Sequence, residues 1–393
     1  MLPLVPLIML IACASQDNRN SGPSDGIGSP PEVTVQPSSA ANPLAQKTEA
    51  PAGTPVFTLA WSPYTSWSAL ASAEAFGYID NRQGWQGQFE RDNGVDVVLQ
   101  RMDYVQSFGV YGAGTVDALL ITNTDAFAVA GERKKSSGDA TVAVFPTSWS
   151  DGADKILVED EIATWADLAG VPVHGAEFSV TQYLYWRACT VNNVAGRYGS
   201  DYTFVNLDPV VGSTQFAGRQ DPALRAFGGW SPETFTVLDT RNGNEDKADD
   251  VRDLFNSSML QDYEITDMLV VGQKALDRAG GREGVRVLGL AMQSMTARSR
   301  DPSQQAQTYR AISPQFNDLD NGAIGRSMEL THMMGPNDAD VLDSPTFRAN
   351  MPLVQEFSVV HKLVDSVDAI PMAWGTKESA PTALLRFDTS LVR

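Results

Sequence analysis

The chain predicts an α/β fold in two lobes, each a mostly parallel sheet flanked by helices. Three observations lead there. Short apolar runs of strand length alternate with segments of helix length, glycines punctuate the joins, and 393 residues, 42% of them hydrophobic, suffice for two cores.

The elements follow in order. Val56-Phe57-Thr58-Leu59-Ala60 reads as a buried strand, and Trp61 to Ser66 as the loop into an Ala-rich helix from Trp67 to Phe76 that Gly77 closes. Val95 to Leu99 is a strand after the Gly94 stop, and Asp103 to Tyr111 a helix closed by Gly112-Ala113-Gly114. Val116 to Ile121 forms the next strand, Thr124 or Asp125 caps a short helix, and Thr141 to Phe145 and Ile156 to Val158 are further strands. Thr164 to Val173 is a capped single turn leading straight into a strand, and Ser179 to Val191 is a helix carrying Tyr183, Tyr185 and Trp186. Tyr202 to Val205 and Phe235 to Leu238 complete a second, smaller sheet, and Ile265 to Val271 reads as a strand returning to the first. From Lys274 onward the pattern is mainly helical, ending in the amphipathic stretch Thr346 to Val364.

Ahead of these elements stands an apolar run, Leu2 to Ala12, too short to span a bilayer. With Leu10-Ile11-Ala12-Cys13 at its end it resembles a bacterial lipoprotein signal, which implies a leader at 1–13, lipidation of Cys13 and a cell-envelope, periplasmic location. Arg19 is the first basic residue and lies beyond the implied cut, a departure from the usual basic opening. Several acyl chains together anchor stably, where one is marginal. Residues 14–53, rich in Ser, Pro, Asn and Gly and without periodicity, read as a disordered tether with a reach on the order of 35 Å.

Charge narrows the partners. Lys and Arg total 29 against 48 Asp and Glu, and a net charge of −19 repels nucleic acid and anionic head groups. With Cys13 lipidated, Cys189 is left without an internal disulfide partner, and its apolar surroundings read as a buried site.

Four strings carry a resemblance: Ala60-Trp61-Ser62-Pro63-Tyr64-Thr65-Ser66-Trp67, Asp117 to Ala126 (DALLITNTDA), Glu177 to Leu184 (EFSVTQYL) and Tyr263 to Val271 (YEITDMLVV). They look like the nitrate, sulfonate, taurine and pyrimidine-precursor group of periplasmic solute-binding proteins of ABC importers. Within that group they are most similar to the branch accompanying urea-carboxylase or guanidine-degradation genes. Thr164 to Val173 likewise resembles the passage by which such proteins enter their second lobe. The resemblance implies a two-lobe periplasmic-binding-protein-like (type II) fold, with 54–160 and 268–393 as one lobe and 161–267 as the other. It also implies a monomer that hands its solute to permease and ATPase subunits.

Ligands of open α/β sheets bind outside the carboxyl ends of the strands, so the quoted strand ends and loops should line one cleft. The candidate ligand-binding residues are Trp61, Tyr64, Trp67, Asn123, Asp125, Trp149, Asp151, Asp154, Glu177, Ser179, Thr181, Trp230 and Glu264. The set is aromatic and acidic, without Arg or Lys. A nitrate or sulfonate wants cations or a bare helix N-terminus, and Glu177 opposes an anion beside the Ser179 helix start. A planar N–H-rich solute such as urea or guanidinium wants carboxylate oxygens in its plane and ring faces above and below. That solute is the expectation; the alternatives are nitrate, a sulfonate such as taurine, or a thiamin pyrimidine precursor.

Plainer roles compete. Any one of the four Trp residues is more often packing than ligand contact, so about two of them are expected to line the pocket. Asp125 and Ser179 serve as helix caps, Asp151 and Asp154 as turn residues around Gly152, and Glu264 and Asp267 as partners in hinge salt bridges, with the structural role preferred for Asp267. Enzyme chemistry finds little footing. His174, His332 and His361 show no paired ligand spacing, and no GxSxG, P-loop or Rossmann glycine pattern occurs, so no metal or cofactor is expected. The Cys-rich iron motif of the related thiamin-pyrimidine enzyme is also missing. A secreted enzyme on the same scaffold and a sensor subunit remain as further alternatives.

Overall fold

The structure, a computed structural model, describes residues 45–243 and 250–392. The expected leader with Cys13, the expected tether up to residue 44, and residues 244–249 lie outside the described residues.

Two sheets organise the chain. The larger has eight strands in the order Met372–Trp374, Leu385–Phe387, Thr141–Ser150, Thr266–Gly272, Ala118–Thr122, Val56–Trp61 and Asp96–Arg101, with Thr331–Met333 added beside Thr141–Ser150. The smaller has five, ordered Val251–Asn256, Lys155–Glu159, Ala226–Gly229, Val173–Gly175 and Phe204–Asn206. Together they give the two-lobe α/β architecture that the strand–helix alternation predicts.

Both sheets are mixed, and the reason lies in the crossings. The chain leaves the large sheet after Ser150, enters the small one at Lys155, leaves it at Asn256 and returns at Thr266. Each entering strand starts at the gap between the sheets, where its neighbours' carboxyl ends lie. Thr266–Gly272 therefore runs antiparallel to both its neighbours, as does Lys155–Glu159, whereas Val56–Trp61 pairs in parallel on both sides. The passage Thr164 to Val173 thus follows the crossover and lies inside the second lobe.

Alternate residues feed opposite faces of the large sheet, as the pleat demands. Leu59 and Leu120 join Phe57 and Leu288 on one side, while Ala60, Leu119 and Ile121 join Phe127 and Phe357 on the other. The long helix Gly281–Arg300 comes so close that a Cβ at Gly284 would sit 2.2 Å from Phe57 Cγ, so only glycine permits that contact. The terminal helix Pro345–Val360 straddles the lobes, with Phe357 against Tyr183 of the second-lobe helix Val180–Val191 at 5.3 Å between ring centres.

Two local expectations fail. Phe235 to Leu238 lies within the helix Glu233–Asn242, and the strand of that region is Ala226–Gly229. Thr and Phe favour strands only weakly, and tertiary context overrides them. The true strand hides its signal in glycine: a Cβ at Gly228 would meet the Thr181 methyl at 2.6 Å, so the helix above demands a bare backbone. Order also begins earlier than the tether boundary implies, since Thr48–Glu49 pairs with Trp85–Gln86 and the Ala45 N–H donates to the Phe76 carbonyl at 3.0 Å. Cys189 is fully buried, and burial pushes its thiol up to about 12.

Candidate functional site

A small cavity sits between the two lobes. From the large-sheet side come Tyr64 and Ser66 after Val56–Trp61, Tyr104, Thr122 at the end of Ala118–Thr122, Ser148, and Asp267. From the other side come Ala153, Asp154, Val180 at the start of its helix, Trp230 and Ser231. Its volume is about 60 Å³, room for roughly four to six water-sized particles where one water needs about 10–15 Å³. A solute of only a few heavy atoms fits.

Rings form one wall. Tyr64 meets Trp67, Tyr104 and Trp230 edge-on, with ring centres 5.1, 5.3 and 5.2 Å apart. Trp230 belongs to the second lobe, so the Tyr64–Trp230 contact spans the cleft. The indole Nε1 of Trp230, which lines the cavity, and that of Trp67 behind it are buried without a hydrogen-bond partner.

Acids form the floor. Asp267 accepts from Thr122 Oγ1 at 2.7 Å and Ser148 Oγ at 2.9 Å, and its burial still raises its carboxyl above the usual range. Burial pushes Asp154 up to about 7 against the weaker pull of the Ser150 hydroxyl. Asp125 lies one layer behind, donated to by Tyr104 at 2.6 Å, and burial likewise pushes it up to about 7. No Lys or Arg is among the residues lining the cavity, and the neighbouring Lys155 is held by Asp253 at 2.9 Å. Such a floor is short of positive charge and of N–H donors, and a ligand that supplies them relieves it.

The thirteen residues singled out from the sequence separate by position. Tyr64, Asp154 and Trp230 line the cavity, and Trp67 and Asp125 back it. Glu177 and Ser179 line the wider outer cleft, where Ser179 caps its helix by accepting the Thr181 N–H at 3.3 Å. Thr181 is buried against the small sheet with its hydroxyl unpartnered. Trp61 packs on Phe316 in the large core. Asn123 ties the return strand, donating to the Glu264 carbonyl at 3.1 Å and accepting the Thr266 N–H at 3.0 Å. The Glu264 carboxylate is taken by Arg187 and by Tyr183 at 3.1 Å, which makes it a hinge pair. Trp149 stacks on His332 at 4.5 Å, and Asp151 holds the same ring at 2.8 Å, away from the cavity.

Sequence reasoning missed Ser66, Tyr104, Thr122, Ser148, Ser150 and the cavity role of Asp267. One signal could have found the last: an antiparallel return strand opens at the cleft, so its first residues stand opposite the ends of the others. Asp267 pairs in register with Thr122 and with Ser148.

No protein-family model matches the chain, and no curated protein matches it in sequence. Solved structures do match. The periplasmic aliphatic sulphonate binding protein SsuA from Escherichia coli is 17% identical with a TM-score of 0.58, over 80% of this chain and 97% of that one. The alkanesulfonate-binding SsuA of Xanthomonas axonopodis pv. citri, bound to MOPS, is 14% identical with a TM-score of 0.55, over 81% and 96%. The CA3427 gene product of Candida albicans, which has the generic periplasmic binding protein fold, is 8% identical with a TM-score of 0.55, over 78% and 90%. At these identities the likeness is one of fold: the chain has the periplasmic binding protein fold.

Proposed function

We propose that this is an extracytoplasmic solute-binding protein that captures a small planar nitrogenous solute, of the urea or guanidine kind, and delivers it to an ABC permease. The observation that carries the reading is the cavity itself, where Asp154 and Asp267 sit among aromatic rings with no lining Lys or Arg. Carboxylates accept short charge-assisted bonds from a guanidinium, and an indole face contributes about 0.5–2 kcal/mol more when the solute is a cation. The two structural relatives named as sulfonate binders share the fold, but an anion placed here would meet two buried acids head-on.

Small size limits affinity. At a ceiling near 1.5 kcal/mol per heavy atom, a solute of about four heavy atoms reaches roughly 6 kcal/mol, or tens of micromolar. Function follows from closure: two lobes joined at the hinges around Ser150 and Thr266 shut on the solute and present a closed face to a permease. In this reading Cys13 carries the lipid that moors the receptor to the envelope, and the receptor acts as a monomer.

Calorimetric titration of the purified protein tests the reading. Guanidinium or urea binds with a dissociation constant in the micromolar range, and taurine and nitrate give no heat. Tight binding of taurine with guanidinium and urea inert would overturn it.

A further inference from the structure

A second compartment of about 800 Å³ adjoins the cavity on its outer side. Tyr64, Tyr104 and Trp230 line both, so the rings form a partition with an acid-floored chamber on one side and an open vestibule on the other. We propose that the vestibule is a second subsite, anchored by Glu233, for an ammonium-bearing tail on a ligand whose N–H-rich head sits in the inner cavity. This rests on the reading of the inner cavity and extends it to a class of ligand, the ω-amino guanidines.

The charged groups facing the vestibule are Asp103, Glu177, Asp208, Glu233 and the exposed Arg101. They are not equivalent. Asp103 caps the helix Tyr104–Gly112 by accepting the Val105 and Gln106 N–H groups, and Asp208 caps Pro209–Ala217 through Val210 and Val211. Glu177 is half-exposed. Glu233 also opens a helix, Glu233–Asn242, and its carboxyl takes its own backbone N–H, but its Oε2 is buried and has no hydrogen-bond partner. An acceptor withdrawn from water and left unpaired in a cavity wall wants a donor from outside the chain.

Two further observations agree. The Tyr64 phenol feels Glu233 and Asp103 from the vestibule and Asp125 and Asp267 from the inner side, so negative charge flanks the partition on both faces. The vestibule also carries exposed apolar side chains, Val105, Phe178 and Val210, which suit a methylene spacer between two cationic ends. Burial pushes the Glu233 carboxyl up to about 7, so an arriving ammonium would fix its charge.

Titrations of guanidinium, propylguanidine and aminopropylguanidine, with butyl and pentyl homologues, test the proposal on the full chain. The best aminoalkylguanidine binds roughly ten- to hundredfold more tightly than the alkylguanidine of the same length. Glu233→Gln removes most of that advantage and leaves the alkylguanidine within about threefold of its original affinity. Equal affinities of the amino and alkyl members throughout, or an advantage that survives in Glu233→Gln, would overturn the proposal. A ligand-side control needs no variant: a carboxylate-tailed guanidine binds more weakly than the alkyl one, and tighter binding would also overturn it. Guanidinium that binds without any gain from the amine defeats the vestibule subsite alone; guanidinium and every derivative inert defeats the inner-cavity reading as well.

Discussion

The Tyr104 hydroxyl sits between Thr122 and Asp125, accepting the Thr122 N–H at 3.0 Å and donating to Asp125 Oδ2 at 2.6 Å. Asp125 therefore bears on the cavity through a ring rather than by contact. Tyr104→Phe strands a buried carboxylate and a buried N–H, and stability falls by about 1–3 kcal/mol. Chemical denaturation measures it, and solute affinity changes far less than in the cavity-acid variant described next.

Asp154 is held at an energetic cost in the empty protein, because burial disfavours its charge. Asp154→Asn accordingly stabilises the ligand-free protein at about pH 8 by roughly 1–3 kcal/mol and weakens guanidinium binding about ten- to hundredfold. A stability gain coupled to an affinity loss is the mark of a site held for binding. A variant that loses both would make Asp154 a structural residue.

The raised acids set a pH dependence with a definite sign. Unfolded carboxyls ionise near about pH 4, whereas Asp125 and Asp154 ionise near about 7 in the folded protein, and Asp267 is shifted the same way. Between those values the native state holds more protons than the unfolded one. Their stabilisation is complete below the unfolded value and is lost as pH rises through about 7. The melting temperature of the empty protein should fall from about pH 5 to about pH 8, while guanidinium affinity rises by up to about tenfold per pH unit for each acid that must ionise. Urea, being neutral, should show little such rise, and a guanidinium affinity flat across this range would contradict the role given to the acids.

Trp230 lines the cavity with its ring and carries a buried, unpartnered N–H. Trp230→Ala removes both and weakens any solute by about ten- to thirtyfold. Trp230→Phe keeps a face but no donor. If the N–H serves a carbonyl oxygen, urea loses more affinity than guanidinium in this variant, by about 1 kcal/mol; parallel calorimetric titrations read the difference.

Much of the fold is written locally. The strand ends at Trp61 and Thr122 and the capped start at Ser179 follow from periodicity and cap chemistry, and they place Tyr64, Tyr104 and Val180 near one gap. What is not local is harder to read. Asp267 enters the site because an antiparallel strand aligns it with Thr122 and Ser148, and a register across 145 residues of sequence leaves no local trace. Asn123 and Glu264 carry the right chemistry at the right end of the chain's strands, yet the return strand and Arg187 consume it. Ala226–Gly229 escaped because close packing against Thr181 removes the β-branched residues by which a strand is known.

A crystal structure of the protein grown with guanidinium measures the central claim most directly. The account predicts the planar ion between the lobes, hydrogen-bonded to the Asp154 and Asp267 carboxylates with the Trp230 ring over it. An ion seated elsewhere with this cavity holding water, or a sulfonate accepted in its place, would contradict it.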